Sequence, residues 1–108
     1  MRQWMIKPNL LCDKHLGGEY VEGLMLLGSI AKGISMKGYV KNGLVEVHNI
    51  RSRWDEVKVE CLARGRKAVA IPKEPKLWHE GKVDTDESIR ELKHRCPNCK
   101  VRLENAGY

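Results

Sequence analysis

Apolar residues recur at steps of three and four between positions 9 and 32, which is the repeat of a helix that buries one face. This stripe consists of Leu16, Tyr20, Gly23, Leu27 and Ile30. Asn9, directly after Pro8, is a good N-cap residue, and Gly33 is a good residue to end a helix. The pattern therefore predicts a long amphipathic helix from Asn9 to about Lys32.

A second helical repeat lies between Asn49, which can cap it, and Gly65, which can end it. Its apolar face consists of Ile50, Trp54, Val57 and Cys61. The spacing places the large Trp54 side chain in the core. Glu60 and Arg64 form a favourable i, i+4 pair.

A third helix is predicted to begin near Asp84, because acidic residues fill its first turn and Glu87 occupies the third position. Ile89 and Leu92 would form its inner face. Pro97 breaks the run and is well placed to open a last short helix that ends near Leu103.

The segment between the first two helices allows two interpretations. Asn42-Gly43 lies between two apolar pairs, which is the signal for a short type I′ hairpin over 39–47. A long irregular connection between two helices accounts for the same residues equally well.

Residues 66–83 contain Pro72 and Pro75, so we expect an irregular connection there, with Trp78 holding it against the core. The fold class predicted from these patterns is mainly α. We expect a single compact domain over residues 1–108, with about three helices and long connections.

Length and composition exclude several classes of protein. The chain has 108 residues, 31% charged and 42% apolar, which suits a folded domain and not a disordered chain. Its densest apolar stretch, 24–27, is far shorter than the ~20 residues that span a bilayer. The first residues lack the apolar core of a secretory signal. We therefore expect a monomeric, cytoplasmic protein without a membrane segment.

The net charge is +6, from 20 Lys and Arg against 14 Asp and Glu, and the excess is clustered. One cluster consists of Lys32, Lys37, Lys41, Arg51 and Arg53, and a second of Arg64, Arg66, Lys67, Lys73 and Lys76. Such clusters either follow the phosphates of a nucleic acid or serve only to keep the surface solvated.

Cysteines provide a candidate metal site. Cys96-Pro97-Asn98-Cys99 has the spacing of one half of a zinc knuckle, in which two thiolates share a tetrahedral ion. The other half would have to come through the fold, from Cys12, Cys61, His79 or His94. The alternative is that the thiols stay reduced and pack as small apolar side chains.

One face of the first predicted helix is polar. Cys12, His15, Glu19 and Glu22 recur at helical spacing, which places a group that titrates near neutrality beside two carboxylates. This arrangement suits acid/base chemistry, although solvated helix faces carry the same residue types.

These residues also carry a resemblance to a known family. Residues 15–22 read HLGGEYVE, which resembles the HLxxEYxE signature of the pyrimidine-dimer DNA glycosylases of the phage endonuclease V type. The similarity continues without a gap through Gly28 and includes Lys32. A second block, in which residues 60–65 read ECLARG, is similar to the family's second helix. Together the two blocks cover about half of the chain.

The resemblance implies a particular chemistry. The terminal α-amine attacks C1′ of the damaged nucleotide, expels the base and forms an imine, and β-elimination then breaks the strand. Among protein amines, the α-amino group keeps the largest neutral fraction at pH 7. The essential glutamate of the family corresponds to Glu22, and its histidine corresponds to His15 as a supporting acid/base group.

The ungapped alignment places Met1 at the position of the family's nucleophilic terminus. Arg2 is bulky and would block removal of Met1, so the expected nucleophile is the α-amine of Met1. Arg2 corresponds to a phosphate-binding arginine of the family. Trp4 would either stack at a distorted base step or anchor the terminus in the core. The other predicted DNA contacts are Lys32, Arg51, Arg53 and Arg64.

Two differences from the family pattern leave the lesion specificity undetermined. The family arginines on either side of the glutamate correspond to Val21 and Met25. Cyclobutane dimers, other lesions and abasic sites therefore all remain candidate substrates.

The resemblance thus implies a DNA-repair glycosylase with abasic-site lyase activity on damaged or abasic double-stranded DNA. No cofactor is expected for catalysis, and zinc at Cys96 and Cys99 would be structural. The alternative is a non-catalytic DNA-binding module that contains the same zinc site.

Overall fold

A computed structural model describes residues 1–71 and 74–108. Pro72 and Lys73, which the sequence places in the irregular connection and in the second basic cluster, lie outside the described residues. Within these ranges the chain is about 60% helical and has no strand, so the predicted mainly α class is confirmed. The α-helices are α1 (Asp13–Ala31), α2 (Lys37–Lys41), α3 (Ile50–Ala63), α4 (Thr85–Arg95) and α5 (Pro97–Asn105).

The first helix begins later than its sequence suggests. Pro8–Leu10 form a separate 3-10 turn, and extended backbone at Leu11 and Cys12 interrupts the chain before α1 starts at Asp13. The cap is Cys12, whose Sγ accepts from the His15 N–H. The prediction of Asn9 as the N-cap is therefore wrong.

Helices α1 and α3 form the centre of the fold. Trp54 of α3 is buried, stacks on Tyr20 at 5.3 Å between ring centroids, and donates a 3.1 Å hydrogen bond to the Tyr20 carbonyl. Gly23 allows this contact, because a Cβ there would lie 2.7 Å from Trp54 Cδ1. The predicted core position of Trp54 is confirmed.

The segment 39–47 does not form the hairpin that Asn42-Gly43 could indicate. Residues 37–41 are the short helix α2, and Gly43 has a φ of 67°. The N–H of Leu44 donates to the Tyr39 carbonyl at 2.9 Å, and the Gly43 N–H donates to Val40. This is the Schellman motif that ends a helix, so the left-handed glycine serves as a helix terminator. Gly33 and Gly65 end α1 and α3 in the same way, as predicted.

The C-terminal third begins where predicted. The Asp84 carboxylate accepts from the N–H groups of Asp86 and Glu87 and caps α4. Cys96 ends α4 and caps α5, whose Pro97 occupies the first turn. Leu92 and Leu103 are buried in the same core as Leu16, so α4 and α5 pack near the start of α1.

Trp78 does not hold the long connection to the core. Its side chain is 43% exposed, and its indole N–H donates to Glu80. Ile71 and Leu77 of the same segment are partly buried against the core. Its backbone is held as well, because the Val47 N–H donates to the Glu80 carbonyl and the Val83 N–H to Glu46 Oε2, both at 2.8 Å. No helix in the described ranges is long and apolar enough to cross a bilayer.

Candidate active site and metal cluster

The N-terminal segment, residues 1–7, is held by a buried ion pair between α1 and α3. Arg53 Nε lies 2.5 Å from Glu19 Oε2, Arg53 Nη2 lies 3.0 Å from Glu19 Oε1, and both side chains are 3% exposed. Glu19 Oε1 also accepts from the Trp4 N–H at 3.2 Å, and Arg53 donates to the Ile6 carbonyl. Between these two anchors Met5 takes a φ of 58°, which non-glycine residues rarely adopt.

A second set of hydrogen bonds holds the segment from the other side. The buried Gln3 donates its N–H to the Leu44 carbonyl at 2.8 Å and accepts the Glu46 N–H on its side-chain oxygen at 2.7 Å. Glu46 in turn accepts from Asn49 and Val83. Hydrogen bonds on both sides therefore fix the backbone conformation of the first residues of the chain.

This conformation brings the terminal amine to the candidate catalytic glutamate. The Met1 nitrogen lies 4.0 Å from Glu22 Oε1, and the two side chains are 15% and 34% exposed. The contact is an ion pair, longer than a hydrogen bond. Glu22 lies one turn of α1 beyond Glu19, so the helix presents one carboxylate to the anchor and the next to the amine.

Glu22 lines an open cleft of about 420 Å³ that carries three basic side chains. The cleft is lined by Arg2, Trp4, Lys14, His15, Gly18, Glu19, Glu22 and Arg95. Sequence reasoning missed Arg95, because only the fold brings α4 to this face of α1. It also missed Lys14, which precedes His15 on α1 itself.

Trp4 forms the floor of the cleft and does not project from it. It is 3% exposed, with the Arg2 guanidinium 3.7 Å and the Arg95 guanidinium 5.1 Å from its ring centroid. Of the two roles considered for Trp4, anchoring the N-terminus fits this burial. Glu91 pairs with both arginines, at 3.2 Å from Arg2 and 3.4 Å from Arg95.

His15 lies between the cleft and a cluster of cysteines. Its ring meets Trp4 edge to face at 5.7 Å, while its Nδ1 lies 3.3 Å from Cys12 Sγ and 3.5 Å from Cys99 Sγ. Burial, together with the charge of Arg95, lowers the pKa of His15. A lower pKa favours the neutral imidazole, which is the form that binds metal ions.

Cys12, His15, Cys96 and Cys99 form a cluster that could bind a metal ion. One donor atom from each lies within 4.8 Å of all the others, and Cys12 Sγ lies 3.8 Å from Cys96 Sγ. All four cysteines of the chain lie in its described part, buried and without a disulfide. Of the candidates for the missing half, the fold selects Cys12 and leaves Cys61, His79 and His94 outside the cluster.

The thiols of the cluster differ in their acidity. Burial raises the pKa of the Cys99 thiol to about 12. Burial acts on Cys96 in the same direction, but hydrogen bonds from Cys99, Cys12 and Asn98 outweigh it and lower the pKa of that thiol. Outside the cluster, burial in α3 raises the pKa of Cys61.

The predicted DNA-binding residues do not form one patch. Arg2 lines the cleft, Lys32 is exposed at the end of α1, and Arg51 is half-buried and paired with Asp55 and Glu74. The burial of Arg53 does not fit a phosphate contact, because its guanidinium is occupied by Glu19 and the Ile6 carbonyl.

Arg64 is also engaged within the protein. Its guanidinium pairs with Glu60 and Asp13 and donates to the carbonyls of Leu11 and Pro8, which holds the N-terminal turn against the end of α3. Val21 and Met25, on either side of Glu22 in the sequence, are 52% and 53% exposed.

A comparison with protein families gives the class of protein as DNA glycosylase. The family model described as pyrimidine dimer DNA glycosylase matches residues 1–70, about two thirds of the chain. The chain therefore belongs to the pyrimidine dimer DNA glycosylase family, as its sequence suggests. The search of curated proteins and the search of solved structures both gave no match.

Proposed function

We propose that this protein is a DNA glycosylase with abasic-site lyase activity, and that the α-amine of Met1 is its nucleophile. The observation that carries the proposal is the 4.0 Å distance between the Met1 nitrogen and Glu22 Oε1 beside a basic cleft. Through one bridging water, or after closing to hydrogen-bond distance, this carboxylate can take the proton of the ammonium and leave the neutral amine that attack requires.

The proposed reaction has two stages. The amine lone pair attacks C1′ of the target nucleotide, the glycosidic bond breaks, and its electron pair leaves with the base, which takes up a proton. The attached amine loses a proton, and its lone pair forms the C1′=N bond as the C1′–O4′ bond breaks, with that electron pair on O4′, which takes up a proton; the product is a protonated imine. Glu22 stabilises the positive charge at C1′ and then removes a C2′ proton, and the C3′–O bond breaks with its electrons on the departing phosphate. Water hydrolyses the imine and restores the amine.

The cleft supplies the groups that would hold the duplex. Arg2, Lys14 and Arg95 are the proposed phosphate contacts near the reacting sugar, with Lys32 and Arg51 as contacts farther along the surface. Each neutralised phosphate makes binding more sensitive to salt. Binding of damaged or abasic double-stranded DNA by a monomer in the cytoplasm stays a prediction.

The second candidate function is that of a non-catalytic DNA-binding module with a structural zinc site. The observation that favours it is the cluster of Cys12, His15, Cys96 and Cys99, which could bind a metal ion independently of any chemistry at Met1.

Three duplexes of one sequence distinguish these functions: one with a single cyclobutane dimer, one with a single abasic site, and one undamaged. The proposal expects cleavage of one glycosidic bond in the first duplex, whose detached base stays joined to its neighbour until photoreversal of the dimer releases it. It expects β-elimination products from the first two duplexes and no cleavage of the third. Equal binding of all three duplexes, with no glycosidic cleavage and no strand cleavage, would select the binding module. Cleavage of the abasic duplex alone would restrict the function to a lyase.

A further inference from the structure

The cluster around His15 takes no part in the chemistry proposed for Met1. We propose that Cys12, His15, Cys96 and Cys99 bind one zinc ion, with His15 as a ligand through Nδ1. This proposal does not depend on the chemistry proposed for Met1.

The distances between the donors fit a tetrahedral ion. With Zn–S bonds near 2.3 Å and Zn–N bonds near 2.0 Å, a tetrahedron separates two sulfurs by about 3.8 Å and a sulfur from a nitrogen by about 3.5 Å. The cluster has 3.8 Å between Cys12 Sγ and Cys96 Sγ, and 3.3 and 3.5 Å from His15 Nδ1 to the sulfurs of Cys12 and Cys99. Apolar packing of reduced thiols would not require an imidazole nitrogen aimed at two sulfurs.

Backbone N–H groups already face the sulfur atoms. The Cys12 N–H donates to Cys99 Sγ at 3.3 Å, the His15 N–H to Cys12 Sγ at 3.4 Å, and the Cys99 N–H to Cys96 Sγ at 3.4 Å. Hydrogen bonds of this kind stabilise thiolates and orient metal ligands. On binding, the three thiols release their protons, and three thiolates with a neutral histidine complete a closed Cys3His site.

The ligands join two parts of the chain that the family comparison separates. Cys12 and His15 lie within the matched residues 1–70, whereas Cys96 and Cys99 lie beyond them at the junction of α4 and α5. Arg95 directly precedes Cys96 and reaches over Trp4 into the cleft. The metal would therefore fix one wall of the cleft, and His15 would act as a metal ligand and not as an acid/base group.

Metal analysis of the full chain tests the proposal directly. Protein purified under reducing conditions and reconstituted with zinc is expected to hold one zinc per chain. Cobalt in its place is expected to give the intense visible bands of a tetrahedral site and a sulfur-to-cobalt charge-transfer band. Cys99→Ser and His15→Ala are each expected to weaken zinc binding more than about 100-fold, beyond the loss that an outer-sphere partner causes.

Control variants outside the cluster separate loss of the metal site from other effects of substitution. Cys61→Ser alters a buried cysteine outside the cluster and is expected to keep one zinc. Glu22→Gln is also expected to keep zinc, so failure of the proposed catalysis would not be confused with failure of the metal site. If Cys99→Ser does not fold, cobalt titration of metal-free wild-type protein measures the affinity and geometry of the site in its place. Absence of stoichiometric metal in reduced wild-type protein, or an unchanged affinity and cobalt spectrum in His15→Ala, would overturn the assignment.

Discussion

Glu19 and Arg53 form an ion pair between α1 and α3 in which each side chain is 3% exposed. The same two side chains bind the Trp4 N–H and the Ile6 carbonyl, so the pair also holds the segment that carries the terminal amine. Glu19 is thus best explained as a positioning residue, one helical turn before the glutamate proposed for catalysis.

Removal of one member of this pair should destabilise the protein strongly. Glu19→Gln would leave the buried Arg53 charge with only the exposed Glu56 carboxylate, at 3.5 Å, as an ionic partner. Loss of the buried partner of such a charge costs about 3–5 kcal/mol. Urea unfolding followed by circular dichroism gives the free energy of unfolding. The control is Glu87→Gln, which breaks an exposed pair with Arg90 and should cost less than about 1 kcal/mol. Equal stability losses in the two variants would show that the buried pair does not hold the segment.

Glu22→Gln should abolish chemistry and leave the fold intact. The side chain is 34% exposed and its nearest charged partner is the Met1 amine, so the amide preserves shape but cannot take a proton. Single-turnover cleavage of abasic DNA is expected to slow by at least about 100-fold, the lower range for loss of a positioned acid/base group. Fluorescence anisotropy should show retained DNA binding. Glu104→Gln, an exposed change of equal charge on α5, is the control, and equal rates in both variants would exclude the role of Glu22.

Glu91→Gln should tighten DNA binding. Glu91 pairs with Arg2 and Arg95, so the amide frees two guanidinium groups at the cleft for phosphates. The plot of the logarithm of affinity against the logarithm of salt concentration is expected to steepen by about 0.9 for each additional phosphate that the protein neutralises. The control is Glu87→Gln, which changes the same charge on the same helix. An unchanged slope in Glu91→Gln would show that neither arginine binds the DNA backbone.

The contribution of the buried Cys61 thiol to the free energy of unfolding should decrease at high pH. Burial, against the opposing charges of Arg66 and Arg64, raises the pKa of this thiol. The neutral thiol therefore stabilises the fold below the unfolded pKa of about 8.5, and the contribution is lost as the pH rises and the unfolded thiol ionises. The difference in unfolding free energy between wild type and Cys61→Ala should decrease from pH 8 to pH 10. A difference that stays constant with pH would contradict this.

The helices were predictable because their signals are local. Asp84 caps α4, Gly33 and Gly65 end α1 and α3, and the spacing of Trp54 shows that it is buried. Gly43 shows the limit of such signals, since a left-handed glycine after Asn42 suits a hairpin turn and a helix terminus alike. The choice depends on the Tyr39 carbonyl, which only the folded chain brings to the Leu44 N–H.

The candidate site was also predictable only in part from the sequence. The spacing of His15, Glu19 and Glu22 placed them on one helix, but it could not show that Glu19 faces Arg53 and that Glu22 faces Met1. Burial of Arg53 depends on the packing of α3, so its charge alone suggested a surface contact with DNA. The sequence did contain a signal for the second half of the metal cluster, namely the Cys12-x-x-His15 spacing. It was overlooked because His15 also belongs to the family signature and was interpreted as an acid/base group.

The central claim is that the Met1 amine forms an imine with the sugar, and borohydride trapping tests it most directly. Sodium borohydride added to wild-type protein with abasic duplex DNA should give a covalent adduct, with the added mass on the N-terminal peptide. A variant with an uncleaved N-terminal extension should form none, whereas the same extension at the C-terminus should not interfere. An adduct located on a lysine, or full adduct formation by the extended variant, would contradict the account.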